Sequence, residues 1–223
     1  MQHEFSISLM CVDYLNLKEQ LLKLNEKADY YHIDIMDGHY CKNITLSPDF
    51  IRAIKPVTKL PIEVHLMVER PTDFIGMVAE AGADVISVHA ETINTDTFRV
   101  LSQIKALGCQ TGVVLNPATP LEEIKYYAGR LDFLTIMTVD VGYAGQSFIT
   151  EMLDKIKQAA AWKEAFGYTY KIQVDGSCNE KTFSRLKAAG TELFILGSSG
   201  LFNLDEDVTV AYENMLDIFQ KSG

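Results

Sequence analysis

Eight short runs rich in apolar and β-branched residues recur along this 223-residue chain, near positions 5–10, 30–36, 62–67, 85–89, 111–115, 133–139, 171–175 and 193–196. Longer stretches with helical spacing lie between them. One carries Leu15, Leu17, Leu21, Leu22 and Leu24. Others cover 73–81, 97–107, 121–128, 151–166 and 180–189, followed by Gly82, Gly108, Gly129, Gly167 and Gly190. Glycine just past a helix end accepts left-handed backbone and acts as a stop signal. Strands alternating with helices call for parallel pairing through right-handed crossovers. Continuous apolar runs fit strands covered on both faces. Eight strands alternating with helical stretches favour closure, so the expected fold is an α/β (β/α)8 TIM barrel, with 1–223 as a single domain. That is compact for a fold that often takes roughly 250 residues. The rival, an open doubly wound sheet, lacks support because no G-x-G-x-x-G follows the first strand.

Hydrophobic residues make up 48% of the chain, enough for a large core. The formal net charge of −10 argues against a nucleic-acid surface, which needs Lys and Arg to meet phosphates. No apolar run reaches the roughly 18 residues of a membrane span, and the N-terminus lacks the basic start of a secretion signal. Cys11, Cys41, Cys109 and Cys178 are widely spaced, with no C-x-x-C pair. A reducing, cytoplasmic location is expected. There the glycosylation match Asn43-Ile44-Thr45 carries no meaning.

Chemistry concentrates on four strand residues. Residues two apart in a strand share a face, so His32 and Asp34 of His32-Ile33-Asp34-Ile35-Met36-Asp37-Gly38 point the same way. Glu63-Val64-His65-Leu66-Met67 adds a second histidine, and Val174-Asp175-Gly176 a second acid. Singly, a strand histidine is often a hydrogen-bonded core residue, and Asp-Gly pairs often make turns. Together, at equivalent ends of successive βα units, His32, Asp34, His65 and Asp175 can converge on one divalent cation at the C-terminal face of a barrel. Such a ligand set suits zinc, manganese, iron or cobalt without choosing one. Met10, Met36, Met67 and Met137 fall near strand ends, where they fill the core or exclude water from a charged intermediate.

Three loops form an anion-binding candidate. Gly142-Tyr143-Ala144-Gly145-Gln146 follows strand six, Gly176-Ser177 follows strand seven, and Gly197-Ser198-Ser199 follows strand eight. Glycine lets backbone N–H groups approach an anion, and loops seven and eight of such barrels commonly bind phosphate. No Lys or Arg lies within the three loops, so amides and hydroxyls would make the contact.

These motifs, with Ser6-Ile7-Ser8-Leu9-Met10 and Met137-Thr138-Val139-Asp140, occur in an order and spacing that resembles the ribulose-phosphate 3-epimerase family over nearly the whole chain. The resemblance implies a TIM barrel that epimerises a ketose phosphate at C3 with one divalent metal ion (Zn favoured; Mn, Co, Fe or Mg also accommodated). It implies His32, Asp34, His65 and Asp175 as ligands and Asp34 and Asp175 as the acid/base pair. Ser8 and His65 would meet the sugar, and the loops containing Gly142, Tyr143, Ala144, Gly145, Gln146, Gly176, Ser177, Gly197, Ser198 and Ser199 would meet the phosphate end. Homo-oligomers are usual for such barrels. Val141 and Ser177 stand where relatives have Pro and Gly. Together with Glu91-Thr92-Ile93-Asn94 and Ser199-Gly200-Leu201-Phe202-Asn203, they look closer to enzymes of D-allulose 6-phosphate than of D-ribulose 5-phosphate. An aldolase using a Schiff base would need a strand-end lysine, and only Lys171, at a strand start, is near one. A non-catalytic phosphosugar-binding protein would not need an acid on each side of its ligand.

Overall fold

The computed structural model describes residues 3–223. Eight parallel strands close in sequence order into a barrel: β1 (Glu4–Ser8), β2 (Tyr30–Met36), β3 (Ile62–Met67), β4 (Val85–His89), β5 (Gln110–Leu115), β6 (Phe133–Met137), β7 (Lys171–Asp175) and β8 (Leu193–Leu196). The β1–β8 pairing, Glu4 with Leu193 through Ile7 with Leu196, completes the ring. The helices are α1 (Leu17–Leu24), α2 (Pro48–Ile54), α3 (Thr72–Ala81), α4 (Ala90–Ile93), α5 (Thr97–Ala106), α6 (Met152–Phe166), α7 (Phe183–Ala189) and α8 (Val208–Lys221). They cover the barrel through one continuous core that includes Ile33, Val64, Val88, Ile136, Val174 and Leu196. No helix among the described residues is long and apolar enough to cross a membrane.

Three local expectations fail for physical reasons. The segment 121–128 is not an α-helix but two 3-10 turns, Leu121–Ile124 and Ala128–Arg130. Its buried residues Leu121, Ile124 and Tyr127 recur every third position, which matches three residues per turn. Pro120 accepts from the Glu123 N–H, and Tyr127 from the Arg130 N–H, so each ring spans only three residues. β1 stops at Ser8, and a 3-10 turn over Leu9–Cys11 carries Met10 away from the sheet. Leu15 is 95% exposed and sits in a 3-10 turn over Tyr14–Asn16, ahead of α1 rather than on its buried face. Three helices, α2, α4 and α8, fall where the sequence reading places none.

The barrel interior is layered, two residues per step up each strand. At the base, Val85, Phe133, Leu193 and Ile195 pack against Tyr30. Lys171 pairs with Glu4 there and lies 5.1 Å from the Tyr30 ring centre, which closes this end. One step higher lie Glu63, Ser87 and Gln173, all buried and polar. Above them come His32, Asp34, His65 and Asp175, and then the methionines.

Candidate active site

The register explains why residues distant in sequence meet. His32 sits beside Glu63, Asp34 beside His65, and Met137 beside Asp175. Only Asp175 closes its strand; His32 and Asp34 lie within β2 and His65 within β3, a correction to the expectation that all four mark strand ends. Strand stagger in a barrel brings mid-strand residues level with the end of a distant strand.

The four side chains converge. One donor atom from each of His32, Asp34, His65 and Asp175 lies within 4.8 Å of the others. His32 Nε2 is 3.2 Å from Asp34 Oδ1 and 3.8 Å from Asp175 Oδ2. His65 Nδ1 is 3.4 Å and 3.6 Å from the same two oxygens. Both ring nitrogens are buried and lack a hydrogen-bond partner. Two orphaned imidazole nitrogens facing two carboxylates in a dry interior are what a divalent cation would satisfy, so the residues fit the metal.

Electrostatics tie the group together. Burial disfavours charge on His32, but Asp34 and Glu63 outweigh it and hold its pKa well above the usual 6.5. His65 is raised too, against burial, by Asp175 and Asp34. Burial likewise opposes ionisation of Asp34, yet His32 and His65 keep that carboxyl far below the carboxylate range. Ser8 Oγ donates to Asp34 Oδ2 at 2.7 Å.

A layer of side chains not singled out in the sequence supports the cluster. Glu63, 1% exposed, accepts from Ser87 Oγ at 2.6 Å and Gln173 Nε2 at 2.6 Å, and its Oε2 lies 3.0 Å from His32 Nδ1. These contacts hold its pKa down despite burial, with His32 the largest influence. Gly112 makes room for them: a Cβ there would lie 1.9 Å from Ser87 Oγ. The period-two rule that pairs His32 with Asp34 also puts Glu63 beside His65 and Gln173 beside Asp175, so the signal was present in the sequence.

Above the cluster opens a pocket of ≈ 600 Å³, its mouth included. Met10, Met36, Met67 and Met137 line it, as do Ser8, Asp34 and Asp175. Gly142, Tyr143, Ala144, Gly145 and Gln146 form one wall, and Gly176, Ser177, Gly197, Ser198 and Ser199 another. His32 and His65 are fully buried and do not line it; His65, expected also to meet the sugar, sits beneath the floor. Asn43 Nδ2 donates to the Gly142 carbonyl at 2.7 Å, and Ser177 Oγ to the Gln146 carbonyl at 2.5 Å. Ser177 has φ +50°, the one non-glycine residue with positive φ among those described. That backbone costs on the order of 1–3 kcal/mol and tends to persist at functional sites.

Eight parallel strands thus set two histidines and two aspartates beneath a glycine-walled pocket, a barrel with a candidate site for a divalent cation. The model of the ribulose-phosphate 3-epimerase family matches residues 4–202. Ribulose-phosphate 3-epimerase of Bacillus subtilis is 40% identical over 194 residues, covering 86% of this chain and 89% of that protein. The Methanocaldococcus jannaschii enzyme is 37% identical, with 93% and 87% covered. The chain belongs to the ribulose-phosphate 3-epimerase family and is an isomerase of the epimerase type. Among solved structures, KGPDC from Streptococcus mutans superposes with a TM-score of 0.74 at 10% identity, covering 98% of each chain. A 3-hexulose-6-phosphate synthase gives 0.71 at 13% identity, covering 96% and 99%. These distant likenesses show the barrel alone.

Proposed function

We propose that the protein interconverts D-ribulose 5-phosphate and D-xylulose 5-phosphate by epimerisation at C3. The convergence of two carboxylates and two orphaned histidine nitrogens beneath a glycine-walled pocket carries this reading. The named relatives lean toward the pentose substrate rather than the D-allulose 6-phosphate read from sequence.

His32, Asp34, His65 and Asp175 would hold a divalent cation, which supplies Lewis-acid stabilisation of the negative charge that develops on substrate oxygens. Zinc suits the mixed nitrogen and oxygen set. One aspartate takes the proton from C3 as the C–H electron pair moves into the C2 carbonyl, giving an enediolate. The other delivers a proton to the opposite face, the electron pair returns to C3, and the configuration is inverted. Proton count is conserved: one carboxylate gains what the other gives. A free aspartate is a weak base, with a pKa near roughly 3.9, so the site works by stabilising the intermediate rather than by base strength. The four methionines exclude water around that charge. Backbone N–H groups and hydroxyls of the loops containing Gly142, Tyr143, Ala144, Gly145, Gln146, Gly176, Ser177, Gly197, Ser198 and Ser199 bind the phosphate. Free cysteines fit a reducing cytoplasm, and the exposed Tyr14, Leu15 and Leu22 fit burial in a homo-oligomer.

Val141 and Ser177, beside the pocket, favour a second reading in which the substrate is D-allulose 6-phosphate. Steady-state kinetics of the zinc-loaded protein with both sugars tests the choice. The larger kcat/KM is expected for D-ribulose 5-phosphate; a larger value for D-allulose 6-phosphate would replace the first reading with the second.

A further inference from the structure

The loops after β7 and β8 are joined side chain to side chain beside the pocket. Asn179 Nδ2 donates to Ser199 Oγ at 3.1 Å. Ser199 lines the pocket, and Asn179 stands behind it. The Asn179 amide has a set orientation: its Oδ1 accepts from the Lys181 N–H at 3.1 Å, which leaves Nδ2 to face Ser199. Its backbone is fixed as well. The Asn179 N–H donates to Thr182 Oγ1 at 3.0 Å, and that buried hydroxyl donates to the Ser177 carbonyl at 2.6 Å. Gly200 brings the second loop this close, since a Cβ there would lie 2.1 Å from the Cys178 carbonyl oxygen. Core filling does not account for the pair, because Asn179 is half-buried and Ser199 exposed.

We infer that Asn179 is a positioning residue that turns the Ser199 hydroxyl hydrogen toward the pocket, where it donates to a phosphate oxygen of the substrate. A serine hydroxyl has one hydrogen and two lone pairs. The amide hydrogen arriving from Asn179 occupies a lone pair, so the hydroxyl hydrogen points elsewhere. Among the described residues Ser199 Oγ donates to no acceptor, and its hydrogen is free for an anion. Ser177 is the opposite case. Its hydroxyl donates to the Gln146 carbonyl at 2.5 Å, so its hydrogen is already engaged in bracing the wall. Among the described residues no Lys or Arg lines the pocket. Each hydroxyl or N–H that does reach a phosphate therefore matters, and a hydrogen bond to a charged group is roughly twice as strong as a neutral one. A hydroxyl already aimed at the anion also loses less freedom on binding than one that must be turned.

The inference rests on the reading that this pocket takes a phosphate group, and the test separates the two. The Kd for inorganic phosphate is measured by NMR titration of protein holding one equivalent of zinc; it needs no turnover, so it decides the inference whichever sugar is the substrate. Ser199→Ala removes the donor and should weaken phosphate binding about tenfold. Asn179→Asp keeps an acceptor for the Lys181 N–H, and with it the turn, but has no hydrogen to give; its carboxylate draws the Ser199 hydrogen away from the pocket. It should weaken phosphate binding about tenfold, and raise KM for D-ribulose 5-phosphate similarly while kcat stays within about twofold. In the Ser199→Ala background the same change should cost about threefold or less. Repulsion between the new carboxylate and the anion is common to both backgrounds and cancels in the comparison. Equal losses in the two backgrounds, or a Ser199→Ala protein that binds phosphate as the wild type does, overturns the inference and leaves the phosphate pocket standing. Failure of the wild-type protein to bind phosphate overturns both.

Discussion

Glu63 shows how one buried acid can govern a site it does not enter. Its two oxygens receive Ser87, Gln173 and His32. Glutamine at this position has one acceptor oxygen for three donors and brings an amide that must itself donate. Glu63→Gln should therefore cost about 1–3 kcal/mol in stability, read by urea unfolding. It should also lower zinc affinity at least tenfold by releasing His32. In the proposed mechanism, Asp34→Asn removes both a ligand and a proton-transfer group. The protein should fold, as circular dichroism would show, and turnover should fall by about 10³-fold or more; near-normal turnover would remove Asp34 from the mechanism. Charged and apolar residues at a period of two make His32, Asp34, His65 and Asp175 readable from sequence. Glu63 and Gln173 obey the same period without standing out, because a polar residue on an inward face announces chemistry only once strand closure shows what it meets across the barrel.

Loops and strands of the site are braced against each other. The segment after β6 is held to the segment after β2 by Asn43 on Gly142, and to the segment after β7 by Ser177 on Gln146. Each such hydrogen bond contributes on the order of 1 kcal/mol. Asn43→Ala should thus raise KM roughly two- to tenfold while changing kcat less, since it loosens the phosphate wall and leaves the aspartates in place. Equal losses in kcat and kcat/KM would instead place Asn43 in the chemical step. Elements differ in how plainly the sequence announces them. The strands β2, β3, β4, β5, β7 and β8 end where their apolar runs stop, because burial on both faces leaves a continuous apolar signature. The first run overshoots: Leu9 and Met10 are apolar but turn out of the sheet, and Met10 reaches the pocket. The sixth overshoots likewise, since Val139 lies past the end of β6 and also lines the pocket. The 121–130 region misleads for a related reason, since a three-residue period and a 3.6-residue period are hard to distinguish over so short a stretch.

At the scale of the molecule, a cation held by the proposed ligands would be linked to the fold. The metal cluster joins β2, β3 and β7, so a cation bound only by the closed barrel stabilises all of it. Zinc at 100 times its Kd should add about 2.7 kcal/mol, raising Tm by roughly 5–10 °C for a chain of this size; an unchanged Tm would contradict a site built from distant strands. Binding should also release protons. Neighbouring carboxylates raise the pKa values of His32 and His65 in the metal-free protein against the effect of burial, yet a ligating imidazole must be neutral. The sign follows: their contribution to metal-free stability is complete below the unfolded pKa of roughly 6.5 and fades as pH rises through the raised folded values. Zinc affinity should conversely climb over the same interval. Calorimetry of zinc binding in buffers of differing ionisation enthalpy counts the protons released; none at pH 7 would contradict the raised values.

The proposed mechanism comes down to one proton leaving, and another arriving on, the two faces of a single carbon. Turnover of D-ribulose 5-phosphate by the zinc-loaded protein in deuterium oxide, followed by NMR of the product, tests that directly. Product formed in the first turnover should carry deuterium at C3, delivered by the second aspartate. Product that keeps its original C3 hydrogen in deuterated solvent would contradict two-carboxylate epimerisation.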